Sequence, residues 1–205
     1  MGQGQATTPI IKLEDIAVVR GNRLVIQRLN LHALAGDIIW IRGANGCGKS
    51  TLLRTIAGLL PSISGTLQTS GTMALSDENL GLDSNSTLET ALNFWAKLDG
   101  SGADQLDGAM LAMDLRGLAD VPVRYLSSGQ RRRANIARVI ASGANIWLLD
   151  EPYNGLDSAN CARLDTALLK HAAGGGIALV AAHQPPSINV ANSIALDERN
   201  VPVAA

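Results

Sequence analysis

Aromatic side chains are scarce in this chain: one Phe, two Tyr and three Trp in 205 residues. That scarcity argues against a base-stacking platform for single-stranded nucleic acid. Charge is nearly balanced, at a formal net of −1. No general positive field exists to attract a polyanion, and the densest basic run, Arg131-Arg132-Arg133, is three residues long. We therefore expect no nucleic-acid partner, and read the three arginines as a solvated face or as charges at an interface. Cysteine is limited to Cys47 and Cys161. Two such residues make no disulfide framework, so reduced thiols in a cytosolic compartment are expected. No apolar run approaches the length that spans a bilayer. The first nine residues are polar, with no basic and apolar secretory pattern, and Ala6 stands where an acylation signal carries Ser or Thr. Any work at a membrane would need a membrane-spanning partner.

What is present is a globular balance, 46% hydrophobic and 17% charged, in a length that suits one well-cored domain. We expect a flexible tail over 1–9 and a single domain over 10–205. Residues 10–19 and 24–34 read as strands, and the apolar run Ile38-Ile39-Trp40-Ile41 as a buried one. Apolar residues recur at helical spacing over 49–60, and Pro61 ends the pattern. Residues 65–75 read as a strand or hairpin. Turn residues and short amphipathic stretches, 87–98 and 103–113, mark 76–125 as an inserted helical subdomain. Helices over 128–141 and 159–173 alternate with apolar strands over 146–149 and 177–181. The expected fold class is α/β, a mainly parallel sheet with helices on both faces, preceded by an antiparallel β part.

Gly43-Ala44-Asn45-Gly46-Cys47-Gly48-Lys49-Ser50 fits G-x-x-x-x-G-K-[ST], after an expected strand and at the start of an expected helix. Glycines let successive N–H groups approach phosphate oxygens, and the helix N-terminus adds its dipole. The expected phosphate site is therefore Gly43, Asn45, Gly46, Cys47, Gly48, Lys49, Ser50 and Thr51. Lys49 would reach the β- and γ-phosphates of ATP, and Ser50 would ligate Mg²⁺. Ile146-Trp147-Leu148-Leu149-Asp150-Glu151 is an apolar strand ending in two carboxylates. Asp150 suits the Mg²⁺ shell and Glu151 the base that orients water.

Leu126-Ser127-Ser128-Gly129-Gln130 lies about twenty residues before Asp150. It resembles the Leu-Ser-Gly-Gly-Gln signature of ATP-binding cassette proteins, with one Gly replaced by Ser. The resemblance covers nearly the whole chain and brings several expectations. Ser128, Gly129 and Gln130 would cradle the γ-phosphate held by a second copy, so a homodimer is implied. Asp157, in Asn154-Gly155-Leu156-Asp157, would lie at the dimer seam. His183, after the last strong strand, would be the switch histidine, whereas His32 and His171 read as structural. Two positions depart from the pattern. Glu78 stands where the family keeps a Gln that contacts Mg²⁺ and senses the membrane partner. Arg20 stands where an aromatic stacks on adenine, implying weak base selectivity.

A narrower resemblance rests on the short length and these two departures. It rests also on Asp120 to Ser127 running into Gln130-Arg131-Arg132-Arg133, on Leu149 to Tyr153, and on Ala182-His183-Gln184. Together these look like the CcmA family, the ATP-binding subunits of cytochrome c maturation. The family implies integral membrane permease subunits, a peripheral place on the cytoplasmic face of a bacterial inner membrane, and a role in haem export or in release of a haem chaperone. Nothing in the chain resembles a haem site. Another small transporter ATPase, or a soluble cassette protein of translation or repair, remains an alternative.

Overall fold

The structure is a computed structural model and describes residues 8–77, 81–196 and 201–202. In chain order the elements are β1 (Ile10–Arg20), β2 (Arg23–Leu34), β3 (Ile38–Arg42), α1 (Lys49–Ile56), β4 (Ser64–Ser70) and β5 (Met73–Ser76). Next come α2 (Leu88–Leu98), α3 (Ala103–Ala112), α4 (Ser128–Ala141), β6 (Ile146–Asp150) and α5 (Ser158–Ala173). The last are β7 (Ile177–Ala181), β8 (Asn192–Ala195) and β9 (Val201–Pro202). Two sheets result: an antiparallel one in the order β4-β1-β2-β9, and one in the order β5-β6-β7-β3-β8 whose pairings are all parallel.

The parallel sheet is the middle layer, and strand alternation assigns its side chains to two cores. Ile39, Ile41, Ile146, Leu148, Ile177 and Leu179 face α1 and the antiparallel sheet, meeting Leu52, Leu53, Ile11 and Leu13. Trp147, Leu149, Ala178 and Val180 face the other way, toward α4, α5 and the helices α2 and α3. At eight residues α1 is too short to hold itself helical in water. Leu52, Leu53 and Ile56 are at most 1% exposed, and burial at about 2 kcal/mol per side chain keeps the helix on the sheet.

Three expectations change. The helix expected over 49–60 stops at Ile56. Gly58 takes φ +73°, its N–H donates to Thr55 O at 3.0 Å, and Leu59 N–H donates to Arg54 O at 2.8 Å. This left-handed cap reverses the chain before Pro61. Residues 65–75 are no hairpin, because β4 joins β1 in one sheet and β5 joins β6 in the other. The three arginines at the start of α4 are not simply a solvated face. Arg131 donates to the carbonyls of Leu126 and Arg124, each at 3.0 Å, and Arg133 to those of Met113 and Asp114, each at 2.7 Å. Strands β8 and β9 have no distinctive apolar pattern and were not expected. His171 stacks on Trp147 with ring centroids 3.8 Å apart and bonds to Ile177 O; burial pushes its pKa down.

Arg133 ties α4 to the end of α3 through a side chain 12% exposed. Arg133→Ala is expected to cost about 2 kcal/mol, measured as a lower urea midpoint; an unchanged midpoint would show that the two carbonyls are satisfied otherwise.

Candidate nucleotide site

In the parallel sheet β7 lies between β3 and β6, and Ile41, Ala181 and Asp150 sit level across the three strands. Their carboxyl ends therefore deliver three segments to one edge: the loop 43–50 after β3, Asp150-Glu151 after β6, and His183 after β7. Ligands of parallel α/β sheets bind along such an edge.

The loop 43–50 is shaped by what its glycines cannot carry. A Cβ on Gly43 would lie 2.5 Å from Cys47 Sγ and 2.7 Å from Leu196 O, and one on Gly48 would lie 2.7 Å from Val25 Cγ1. Both residues have positive φ, +154° and +113°, which an L side chain resists. Gly48 is the N-cap of α1 and brings no side chain to cap it. The N–H groups of the first turn are thus left for an anion, which the helix dipole also favours. Asn45 and Gly46 are exposed on the rim, Ser50 is half-buried, and Cys47 and Thr51 are buried behind the loop.

Lys49 is 6% exposed, and its ammonium finds three acceptors: Gly43 O at 2.8 Å, Ala44 O at 3.3 Å and Glu151 Oε1 at 3.1 Å. The two carbonyls accept hydrogen bonds from the ammonium, and the carboxylate contact is an ion pair. Glu151 sits at φ +47°, in a region few non-glycine residues occupy. Its N–H donates to Ala181 O at 2.7 Å, and its Oε2 accepts the backbone N–H of His183 at 3.3 Å. His183 therefore meets Glu151 through the backbone while its imidazole is exposed. Asp150 is 3% exposed at the tip of β6. Ser50 and Asp150 are hard oxygen donors of the kind that suit Mg²⁺ together with phosphate oxygens. Among the described residues no cluster of three His, Cys, Asp or Glu forms a separate metal site.

Ser128, Gly129 and Gln130 stand apart from this group. Among the described residues no hydrogen bond or ion pair joins them to Gly43–Thr51. They open α4, whose N-cap is Ser127: its Oγ accepts Gln130 N–H at 3.2 Å, and Gln130 Oε1 accepts Ser127 N–H at 2.8 Å. The Gln130 oxygen is thereby spent on the helix cap, while Ser128 is exposed and Gly129 half-buried on the opening turn. Asp157 caps α5, accepting Asn160 N–H at 2.8 Å. Arg20 is exposed at the end of β1, opposite Arg23. Glu78 lies outside the described residues. Its neighbour Asp77 is gripped by Arg54 at 3.1 Å and, through its carbonyl, by Asn135 at 2.8 Å.

Sequence reasoning missed two contacts. Tyr153 donates to Asp165 at 2.5 Å, and burial, with this bond next, pushes the phenol pKa well above its usual value. Gly129 lies so near Gly155 that a Cβ on it would be 3.0 Å from Gly155 O. A buried Asp on a helix face was the available signal for the first. The second leaves no sequence signal beyond the glycines themselves.

A parallel sheet with a glycine phosphate loop at one strand tip, two carboxylates at the next, and a second, Ser127-capped helix start elsewhere fits an ABC-type ATPase domain. Residues 26–154 match the ABC transporter family. A putative ABC transporter ATP-binding protein from Pyrococcus furiosus superposes with a TM-score of 0.81 at 22% identity, covering 91% of this chain and 97% of that one. A putative metal-chelate type ABC transporter in an inward-facing conformation gives 0.80 at 25% identity, covering 95% and 84%. The cytochrome c biogenesis ATP-binding export protein CcmA of Sphingopyxis alaskensis is 51% identical over 176 residues, 86% of this chain and 91% of that protein. Its counterpart in Novosphingobium aromaticivorans is 47% identical over 182 residues, 89% and 93%. The chain belongs to the CcmA family of ABC ATPases.

A phosphate bound in the loop would have to compete with Glu151 for Lys49. Glu151→Gln is expected to tighten ATP binding to the isolated chain about tenfold, since it leaves a buried ammonium uncompensated. Titration with a fluorescent ATP analogue in EDTA measures this, and equal or weaker binding would refute the competition.

Proposed function

We propose that this chain is the ATP-hydrolysing subunit of an ABC complex that serves cytochrome c maturation, by haem export or by release of a haem chaperone. The observation that carries the reading is the meeting of Lys49, Glu151 and the His183 backbone at one sheet edge, beside a helix start with no cap of its own. The 51% identity to a CcmA protein supports the maturation role.

The phosphates of ATP take the place of Glu151 at Lys49 and receive the N–H groups of Gly46 to Thr51. Ser50 and Asp150 would hold Mg²⁺, which would supply charge neutralisation at the phosphates. Glu151, released from Lys49, accepts a hydrogen bond from the attacking water and acts as general base. His183 adds a contact to the γ-phosphate. Ser128 and Gly129 present their N–H groups to ATP held by a second copy, so two chains close head to tail over two composite sites, with Asp157 at the seam. Arg20 lies on the base side. Among the described residues no helix is long and apolar enough to cross a membrane. On its kinship with CcmA proteins, the chain is proposed to lie on the cytoplasmic face of the inner membrane, against integral permease subunits, with Glu78 and Asp77 in the segment that senses them.

Glu151→Gln is expected to slow turnover by about 10²- to 10⁴-fold, as loss of a general base does. The same variant, tagged and extracted from native membranes with ATP and Mg²⁺, should bring down a multi-spanning subunit with haem-handling maturation proteins. Near-normal turnover would remove Glu151 from its role. An unrelated permease would change the cargo, and no membrane protein at all would favour a soluble cassette function.

A further inference from the structure

The turn that follows Glu151 stands between the two half-sites, and one side chain pins it to the body of the protein. Glu151 itself is held in the left-handed region, a conformation that persists only where its surroundings enforce it. Asn154 N–H donates to Glu151 O at 3.2 Å and Leu156 N–H to Tyr153 O at 3.1 Å, so 151–156 is a tight, self-bonded turn. Asn154 and Gly155 are exposed at its tip. Tyr153 points inward instead. Its ring packs on the core against the sheet face that carries Trp147 and Leu149, and its hydroxyl donates to Asp165 Oδ1 at 2.5 Å.

Asp165 is 7% exposed and sits mid-way along α5, a 16-residue helix packed on the sheet through Leu164 and Leu168. A carboxylate is costly to bury and is ordinarily placed where a partner demands it. Its hydrogen-bond partner is the tyrosine of this turn. On the far side, the turn's Gly155 carbonyl is the surface against which Gly129 rests. One turn therefore fixes Glu151 at its start and supports the first turn of α4 at its tip, with Tyr153–Asp165 as its tether between the two.

We propose that Tyr153 and Asp165 form a positioning pair that sets Glu151 for the water of its own site and sets the seat of Gly129 for the nucleotide of the opposite copy. The pair touches neither substrate. It acts through the turn, and it rests on the roles proposed above for Glu151 and Gly129.

Tyr153→Phe removes one oxygen and keeps the ring. In the full chain assembled with its membrane partner, kcat for ATP is expected to fall about ten- to hundredfold, as small misplacements of catalytic groups do. KM and the affinity of the isolated chain for ATP should stay within about twofold, because the phosphate loop is untouched. Asp165→Asn keeps an acceptor oxygen for the phenol and is expected to retain at least about half of kcat. Tyr153→Phe with Asp165→Leu leaves no buried carboxylate unpaired, so it separates folding from positioning; it should fold normally and stay as slow as Tyr153→Phe. Wild-type kcat in either Phe variant would overturn the proposal, as would a parallel fall of kcat, ATP affinity and Tm. Glu151→Gln, measured alongside, keeps the two levels apart. If it turns over normally, the reading of the site is wrong; if it is inactive while Tyr153→Phe is not, only the positioning pair is wrong.

Discussion

The site depends on a sheet that is apolar on both faces. All five residues of β6 and of β7 are buried, and the one charged side chain among them, Asp150, stands at the last position of β6. Charge is displaced to the strand ends, where the backbone also runs out of ladder partners. Because β3, β7 and β6 run parallel and level, their ends coincide, and the displaced groups meet along one edge. A hydrophobic constraint on the middle of the sheet thus concentrates the chemistry at its rim.

Within that rim the Lys49–Glu151 contact dominates. At 3.1 Å the attraction is roughly 5 kcal/mol at the effective dielectric of a protein interior. The cost of withdrawing both charges from water is of similar size. The pair therefore adds little net stability, and its weight lies in what it excludes. While Glu151 holds Lys49, its carboxylate stands where the proposed function would put a phosphate oxygen. On the function proposed above, nucleotide arrival would separate the two, so the event that fills the phosphate loop would also free the carboxylate. The carbonyls of Gly43 and Ala44 aim the Lys49 ammonium into the loop.

Much of this was legible in the residues. The α/β architecture followed from apolar strands alternating with helices, and α4 and β7 were read to the residue. Long-range contacts were not legible. The end of α1 depended on whether Gly58 caps or merely lies within the helix, and a left-handed φ cannot be read from composition. The Arg131–Arg133 run looked like a surface charge because its acceptors are backbone carbonyls up to twenty residues away, and carbonyls carry no sequence signature. Strand β8 is four largely exposed residues on the sheet's edge, where alternation is weakest. At the site, the phosphate loop and the two carboxylates announce themselves by type and spacing. The contacts between them come only from the level registry of three strands.

The same packing explains which departure from the family signature this chain tolerates. The motif has two adjacent glycines, and here the first is Ser128 and the second remains Gly129. Ser128 is exposed on the opening turn of α4, so its hydroxymethyl group meets solvent, and a serine there leaves the backbone N–H as free as a glycine would. Gly129 has no such freedom: a Cβ would press on the Gly155 carbonyl at 3.0 Å, forcing either α4 or the turn after Glu151 to move. The cap residues follow the same division. Ser127 and Asp157 satisfy part of the starts of α4 and α5 with their own side chains, whereas α1 begins at a glycine and leaves its first turn wholly to a ligand. The start of α1 is thus the more open anion site. The start of α4, already partly capped, fits the proposed role of completing a site only when a second copy brings phosphate to it.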